Sequence, residues 1–181
     1  TYASHLGIVI VPEFEFPGHA LGALAPYYQY SCRQQPLETT CKWGGSIEVF
    51  CPGNDEGIAF LEDVFDEIMG IFPSKYVHIG GDEVKKFRWM VCPKCLKRMA
   101  QEGFITVDHL QGWMTSHFSN FFDKYNRRLV GWGEILSGTD ISQSAIVMNW
   151  QGISAAVDAT NKGHNTIDAS NRHFYFNYKQ F

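Results

Sequence analysis

Apolar and polar positions along this chain alternate between two periods. Leu6 to Phe14 (LGIVIVPEF) is almost unbroken apolar sequence, which predicts a strand covered on both faces, as in parallel sheets. Pro12 sits near its end, where a missing amide hydrogen is tolerated. Asp55 to Met69 instead repeats Ile58, Leu61, Phe65 and Ile68 at three- and four-residue steps, the signature of an amphipathic helix. Asn54 is placed to cap it, acidic residues follow in the first turn, and Gly70 and Pro73 stop it. Tyr76 to Ile79 is a short apolar strand. Lys85 to Gln101 is mixed, loop then helix. Thr106 to Tyr125 is a second clear helix, with Leu110, Trp113 or Met114, His117, Phe118 and Phe121 along one side. Arg128–Trp132 and Ala145–Asn149 read as strands, Ser154 to Lys162 as a short helix closed by Gly163, and Asn165–Ala169 as a weaker strand.

Strand candidates therefore lie at 8–14, 76–79, 128–132, 145–149 and 165–169, with helical sequence between them. That succession is the repeated unit of an α/β barrel or a doubly wound sheet. All five candidates are followed by polar or aromatic groups, and this one-sidedness favours a barrel with its site at one end. Five strands do not close an eight-stranded barrel. The length fits one domain over residues 1–181.

Composition narrows the function classes. The chain is 45% hydrophobic and 15% aromatic with a formal net charge of -4, which reads as globular. Mild acidity and the lack of a dense Lys/Arg tract argue against a nucleic-acid partner. No stretch approaches the roughly 20 apolar residues of a membrane span. No signal-peptide pattern is visible, and Thr1-Tyr2-Ala3 reads as the middle of a domain. The cysteines are Cys32, Cys41, Cys51, Cys92 and Cys95. Cys92-Pro93-Lys94-Cys95 has zinc-knuckle or redox spacing, but no second well-spaced Cys/His pair completes a zinc site. Local thiol packing or a disulfide is the favoured reading, and the first three cysteines could staple their Pro/Gly-rich loop in an oxidising compartment.

Candidate chemistry gathers behind the strands. Tyr76–Ile79 runs into Gly80-Gly81 and then two adjacent carboxylates, Asp82 and Glu83. Beyond the first strand come Glu13, Glu15, Pro17, Gly18 and His19. His19 is either a hydrogen-bonded loop histidine or a buried one linked to carboxylates. Trp132 and Trp150 each follow a strand directly and are the best pocket aromatics, with core packing as the competing reading. Trp113 lies on the helical pattern and belongs to packing. Residues 21–54 form a loop of a length that is often functional. Its aromatics Tyr27, Tyr28, Tyr30 and Trp43 either line a sugar-binding rim or bury themselves. Carboxylates among tryptophans suit sugar chemistry, where one acid must protonate a leaving oxygen. Adjacent Asp82 and Glu83 do not fit the ordinary retaining pair about 5–5.5 Å apart, and successive strand residues face opposite ways unless a bend intervenes. Glu83 as acid/base and Asp82 as a positioning group is the more economical division, particularly where a 2-acetamido carbonyl serves as nucleophile.

The motifs VPEFEFPGHA (11–20), HIGGDEV (78–84), GWGEIL (131–136), WQG (150–152) and HFYFNY (173–178), in this order, resemble family 20 glycoside hydrolases, the β-N-acetylhexosaminidases. The resemblance covers nearly the whole chain. It implies a (β/α)8 TIM barrel, of which this chain would hold roughly the third to seventh strands. It also implies removal of terminal β-linked N-acetylglucosamine or N-acetylgalactosamine with retention, through an oxazolinium formed by the substrate. On that likeness Glu83 is the general acid/base, Asp82 orients the acetamido group, and Tyr175 hydrogen-bonds its oxygen. Trp132 and Trp150 wall the pocket, and His19 supports the acid with Glu13 or Glu15 nearby. Asn177 stands where the family commonly has an Asp that binds sugar hydroxyls, and Glu15 where Asp is common. No metal or organic cofactor is implied. The partner implied is an amino-sugar glycoside or glycan, and the open barrel implies either further barrel segments or self-association. An exported, periplasmic, extracellular or lysosome-like location is expected. The alternative is a non-catalytic or degenerate carbohydrate-binding barrel, or an inactive fragment of the enzyme.

Overall fold

The computed structural model describes every residue except Thr1, Lys42, Trp43, Thr139, Tyr178, Gln180 and Phe181. The rim reading of Trp43 thus lies outside the described residues. In chain order the elements are α1 (Tyr2–His5), α2 (Leu21–Leu24), α3 (Asp55–Ile71), β1 (Tyr76–His78), α4 (Phe87–Val91), α5 (Pro93–Glu102), α6 (Asp108–Lys124), β2 (Arg128–Trp132), β3 (Ile146–Asn149), α7 (Ile153–Asn161), β4 (Asn165–Asp168) and α8 (Asn171–Phe174). Short 3₁₀ turns occupy Tyr28–Tyr30 and Gly133–Leu136.

The four described strands form one sheet in the order β1-β2-β3-β4, parallel throughout. Every C-terminal strand end therefore opens on the same side. The expected first strand is only partly realised. His78 N–H donates to Pro12 O at 2.9 Å, and Phe14 and Phe16 donate to His78 O and Ile79 O at 3.0 Å. This lays Pro12–Phe16 parallel to β1, with Glu13 bridged to His78. The run before it is not covered on both faces: Ile8, Val9, Ile10 and Val11 are 42–66% exposed. Its continuous apolar character is not matched by burial, and proline interrupts the amide ladder where pairing begins.

The core lies between the outer face of the sheet and α3 and α6. Val77, Leu129 and Val147 point from the strands toward Leu61, Phe65, Leu110, Met114, Phe118 and Phe122. Phe65 and Phe118 centre an aromatic cluster with Phe16 and Phe122, at ring separations of 4.7–6.4 Å. The helical spacings read from the sequence are what put these rings on one side. Asn54 begins α3, but its side chain does not cap it. Its amide donates to Gln29 O at 2.9 Å, tying the helix start to the long loop. Trp113 packs beneath the Arg98 guanidinium, 4.5 Å from the ring centre, an exchange of cation and π-face. On the opposite face of the sheet, Val11, Tyr76, His78, Val130, Met148 and Ile167 line an apolar hollow. Among the described residues no helix is long and apolar enough to cross a membrane.

Candidate active site

The site is built on the bend that follows β1. Gly80 and Gly81 take φ of 69° and 93°, and Glu83 follows at 50°. Side chains rarely adopt these angles, so Glu83 carries backbone strain of a kind common where a side chain must be aimed. Gly80 has no alternative: a Cβ there would lie 2.2 Å from the Glu15 carboxyl. The bend overcomes strand alternation and turns both carboxylates to one side. His19, itself at φ 45°, stands between them, with Nε2 3.6 Å from Asp82 Oδ2 and 3.4 Å from Glu83 Oε2. The Asp82 side chain is 20% exposed and that of Glu83 56%. Asp82 is recessed, whereas Glu83 reaches into the opening.

Glu15 lies beneath the turn. Its carboxyl accepts the Gly81 N–H at 2.9 Å. Burial, followed by the charge of Asp82, pushes its pKa up to about 9, so it holds a proton at neutrality. The neighbouring Asp82 has its Oδ1 buried without a hydrogen-bond partner among the described residues. Gln111 of α6, almost fully buried, donates to Gly81 O at 2.7 Å and holds the turn from the helix side.

The two strand-end tryptophans are each fixed by a carboxylate. Trp132 donates its indole N–H to Glu13 Oε1 at 3.0 Å and meets the His78 ring edge-on at 5.0 Å. His78, 3.3 Å from the same oxygen, holds Glu13 below the usual carboxylate range, and Trp132 adds to this. Trp150 donates to Glu134 Oε2 at 3.1 Å, and Gln151 donates to Glu134 Oε1 at 2.9 Å. Burial raises the Glu134 pKa despite the Trp150 bond, with the charge of Asp82 adding to the rise. Tyr175 and Asn177 lie on the segment leaving β4 through α8, at the same end of the sheet. Tyr175 is half-buried and Asn177 exposed.

Contacts therefore gather His19, Asp82, Glu83 and Glu15 into one cluster, while topology brings Trp132, Trp150, Tyr175 and Asn177 to the same edge. Glu134 and Gln111 were not among the expected site residues. Glu134 lay within GWGEIL directly behind a strand, which was signal enough. Gln111 showed itself only as a polar residue three and seven positions before the buried Met114 and Phe118.

Two groups of side chains have metal-ligating geometry. One is His19, Asp82 and Glu83, which is largely exposed. The other is Cys32, Cys51, Cys92 and Cys95, mostly buried. The second departs from the sequence expectation, because Cys32 and Cys51, too far apart to read as a pair, meet the Cys92/Cys95 knuckle in space.

Residues 1–181 match the family model described as glycosyl hydrolase family 20, catalytic domain. The chain is 40% identical over 166 residues to a beta-hexosaminidase of Porphyromonas gingivalis, covering 92% of this chain and 21% of that protein. To the beta-hexosaminidase of Vibrio furnissii it is 30% identical, covering 92% and 27%. The X-ray structure of Flavobacterium johnsoniae chitobiase superposes with a TM-score of 0.86 at 32% identity, over 94% of this chain and 27% of that one. A Vibrio harveyi exo β-N-acetylglucosaminidase, solved in complex with N-acetylglucosamine, gives 0.79 at 30% identity, over 92% and 26%. The chain thus spans between a fifth and a third of these relatives' length. Its four parallel strands with outer helices correspond to part of the barrel of such enzymes. The chain belongs to glycosyl hydrolase family 20.

Proposed function

We propose that the protein hydrolyses terminal non-reducing β-linked N-acetylglucosamine or N-acetylgalactosamine, with retention, using the substrate's own acetamido group as nucleophile. The observation that carries this is His19 bridging two adjacent carboxylates of unequal exposure at a strand end. In this reading the exposed Glu83 donates a proton to the glycosidic oxygen as the bond to the anomeric carbon breaks. The recessed Asp82 accepts the acetamido N–H and aims its carbonyl oxygen at that carbon, forming an oxazolinium. Tyr175 donates to the acetamido oxygen. Glu83, now a base, takes a proton from the water that opens the ring. Two inversions at one carbon give net retention. Trp132 and Trp150, held by Glu13 and Glu134, present flat walls to the sugar and its acetyl group. His19 positions Glu83, and Asn177 offers a neutral hydrogen bond to a sugar hydroxyl.

In barrel terms, the segment that pairs with β1 from Pro12 onward and the segments 76–79, 128–132, 145–149 and 165–169 are assigned as the third to seventh strands. The relatives' names and the N-acetylglucosamine complex support the substrate class. In the full-length protein, Glu83→Gln should cut turnover of an aryl β-N-acetylglucosaminide by about 100-fold or more, the usual worth of a general acid. Undiminished turnover would remove Glu83 from this role.

A further inference from the structure

Four cysteines from three separate segments converge away from the carboxylates. Cys32 follows the 3₁₀ turn, Cys51 closes the long loop, and Cys92 and Cys95 flank the start of α5. Their sulfurs all lie within 4.8 Å of one another. Cys32–Cys95 and Cys51–Cys92 approach to 3.7 Å and Cys51–Cys95 to 3.5 Å. All four are free thiols. A disulfide would draw a pair to about 2.05 Å. An ion about 2.3 Å from each of four sulfurs, by contrast, sets them about 3.8 Å apart along the edges of a tetrahedron. The separations match the second arrangement.

We propose that Cys32, Cys51, Cys92 and Cys95 form a structural zinc site. Four protein thiolates close the coordination sphere and leave no position for water or substrate, which is the mark of a structural and not a catalytic zinc. Soft thiolate ligands in tetrahedral array select zinc over hard cations. Binding releases the four thiol protons to solvent and changes no oxidation state. The surroundings favour the charge that results. Cys92 is the N-cap residue of α5, whose N-terminus favours negative charge, and the same helix carries Lys94, Lys97 and Arg98. The backbone is shaped for close approach as well. A Cβ on Gly53 would lie 2.2 Å from the Lys94 carbonyl and 2.5 Å from Cys95 N, so the Cys51-Pro52-Gly53 turn nests directly on the Cys92–Cys95 knuckle.

Such an ion would tie the long loop to the segment that leaves Glu83. The loop between Cys32 and Cys51 carries Gly45, whose Cβ position is 3.4 Å from the His19 ring and whose carbonyl accepts Lys85 Nζ at 2.8 Å. It also carries the buried Glu48, which accepts from Arg88 at 2.5 Å. Zinc would therefore hold the wall against which His19 rests.

The test is metal analysis of the full-length protein, purified without chelator, by inductively coupled plasma mass spectrometry. One zinc per chain is expected, released by a thiol-blocking mercurial, lost in Cys51→Ser and Cys95→Ser, and kept in Cys41→Ser. Replacement by cobalt should give the charge-transfer and d–d bands of a tetrahedral thiolate site, a readout that stands even if the serine variants fail to fold. The proposal is overturned by metal-free protein with four titratable thiols. An intact mass lacking the four thiol hydrogens, which would signal two disulfides, also overturns it, as does stoichiometric iron in place of zinc.

Discussion

Glu134 does two things at once, and removing it separates them. Its carboxylate accepts both the Trp150 indole N–H and the Gln151 amide. Glu134→Ala leaves those donors without a partner in a partly buried site, at a cost of about 1–3 kcal/mol. Glu134→Gln keeps an acceptor and should cost less. Chemical unfolding of both variants gives the comparison, and a KM that rises in the alanine variant would report loosening of the Trp150 wall. Glu15 sets a pH dependence. Its folded pKa, about 9, is raised above the ordinary carboxylate value of 4.5, so the native state keeps a proton that the unfolded chain has lost. Its contribution to stability is complete below the unfolded value and declines as pH rises toward about 9. Glu15→Gln, which mimics the protonated form, should flatten that decline in denaturation midpoints measured across this range, while an unchanged slope would place the titration elsewhere. At this scale much of the site was legible, because carboxylates, histidine and tryptophans stand directly behind apolar strand runs. Partnerships were not legible. Nothing in the spacing joins Glu13 to Trp132 or Gln111 to the Gly81 carbonyl, since those bonds are made by residues far apart in sequence.

The strand–turn element around residues 76–83 converts a β alternation into a one-sided display. Gly80 is its hinge, for two independent reasons: its φ of 69° and the 2.2 Å gap that a Cβ would have to the Glu15 carboxyl. Gly80→Ala should destabilise by at least the roughly 1–2 kcal/mol of a left-handed alanine, and should lower turnover more than stability by displacing Asp82. Circular dichroism melts and steady-state assays on one preparation read the two effects. Helices were the easiest elements to foresee. The apolar stripe of α6 lies within the predicted Thr106–Tyr125, and α3 extends the predicted Asp55–Met69 by only two residues. Strands β1 to β4 also fall where apolar runs end in polar groups. Segment 8–14 departs from the expected strand because an uninterrupted apolar run reports hydrophobicity and not what covers it. Its pairing begins only at Pro12.

Across the whole molecule, one parallel sheet gathers all strand ends on one side and places its apolar core under the opposite, helical flank. The two demands of the proposed reaction are thereby separated: packing among Phe16, Phe65, Phe118 and Phe122 stabilises the outer layer, and charge is concentrated at the rim. The cysteine cluster binds the long loop to that rim from a third direction. Its assembly from Cys32, Cys51, Cys92 and Cys95 was hidden in the sequence, since spacing reveals a metal site only when ligands come in close pairs. The central claim is that the substrate's amide, steered by Asp82, does the work of an enzymic nucleophile. The most direct measurement is hydrolysis by the full-length protein of aryl β-glucosaminides whose N-acetyl group carries none, one, two or three fluorines. Turnover should fall with each fluorine as the carbonyl oxygen loses nucleophilicity, and a rate indifferent to fluorination would contradict the account.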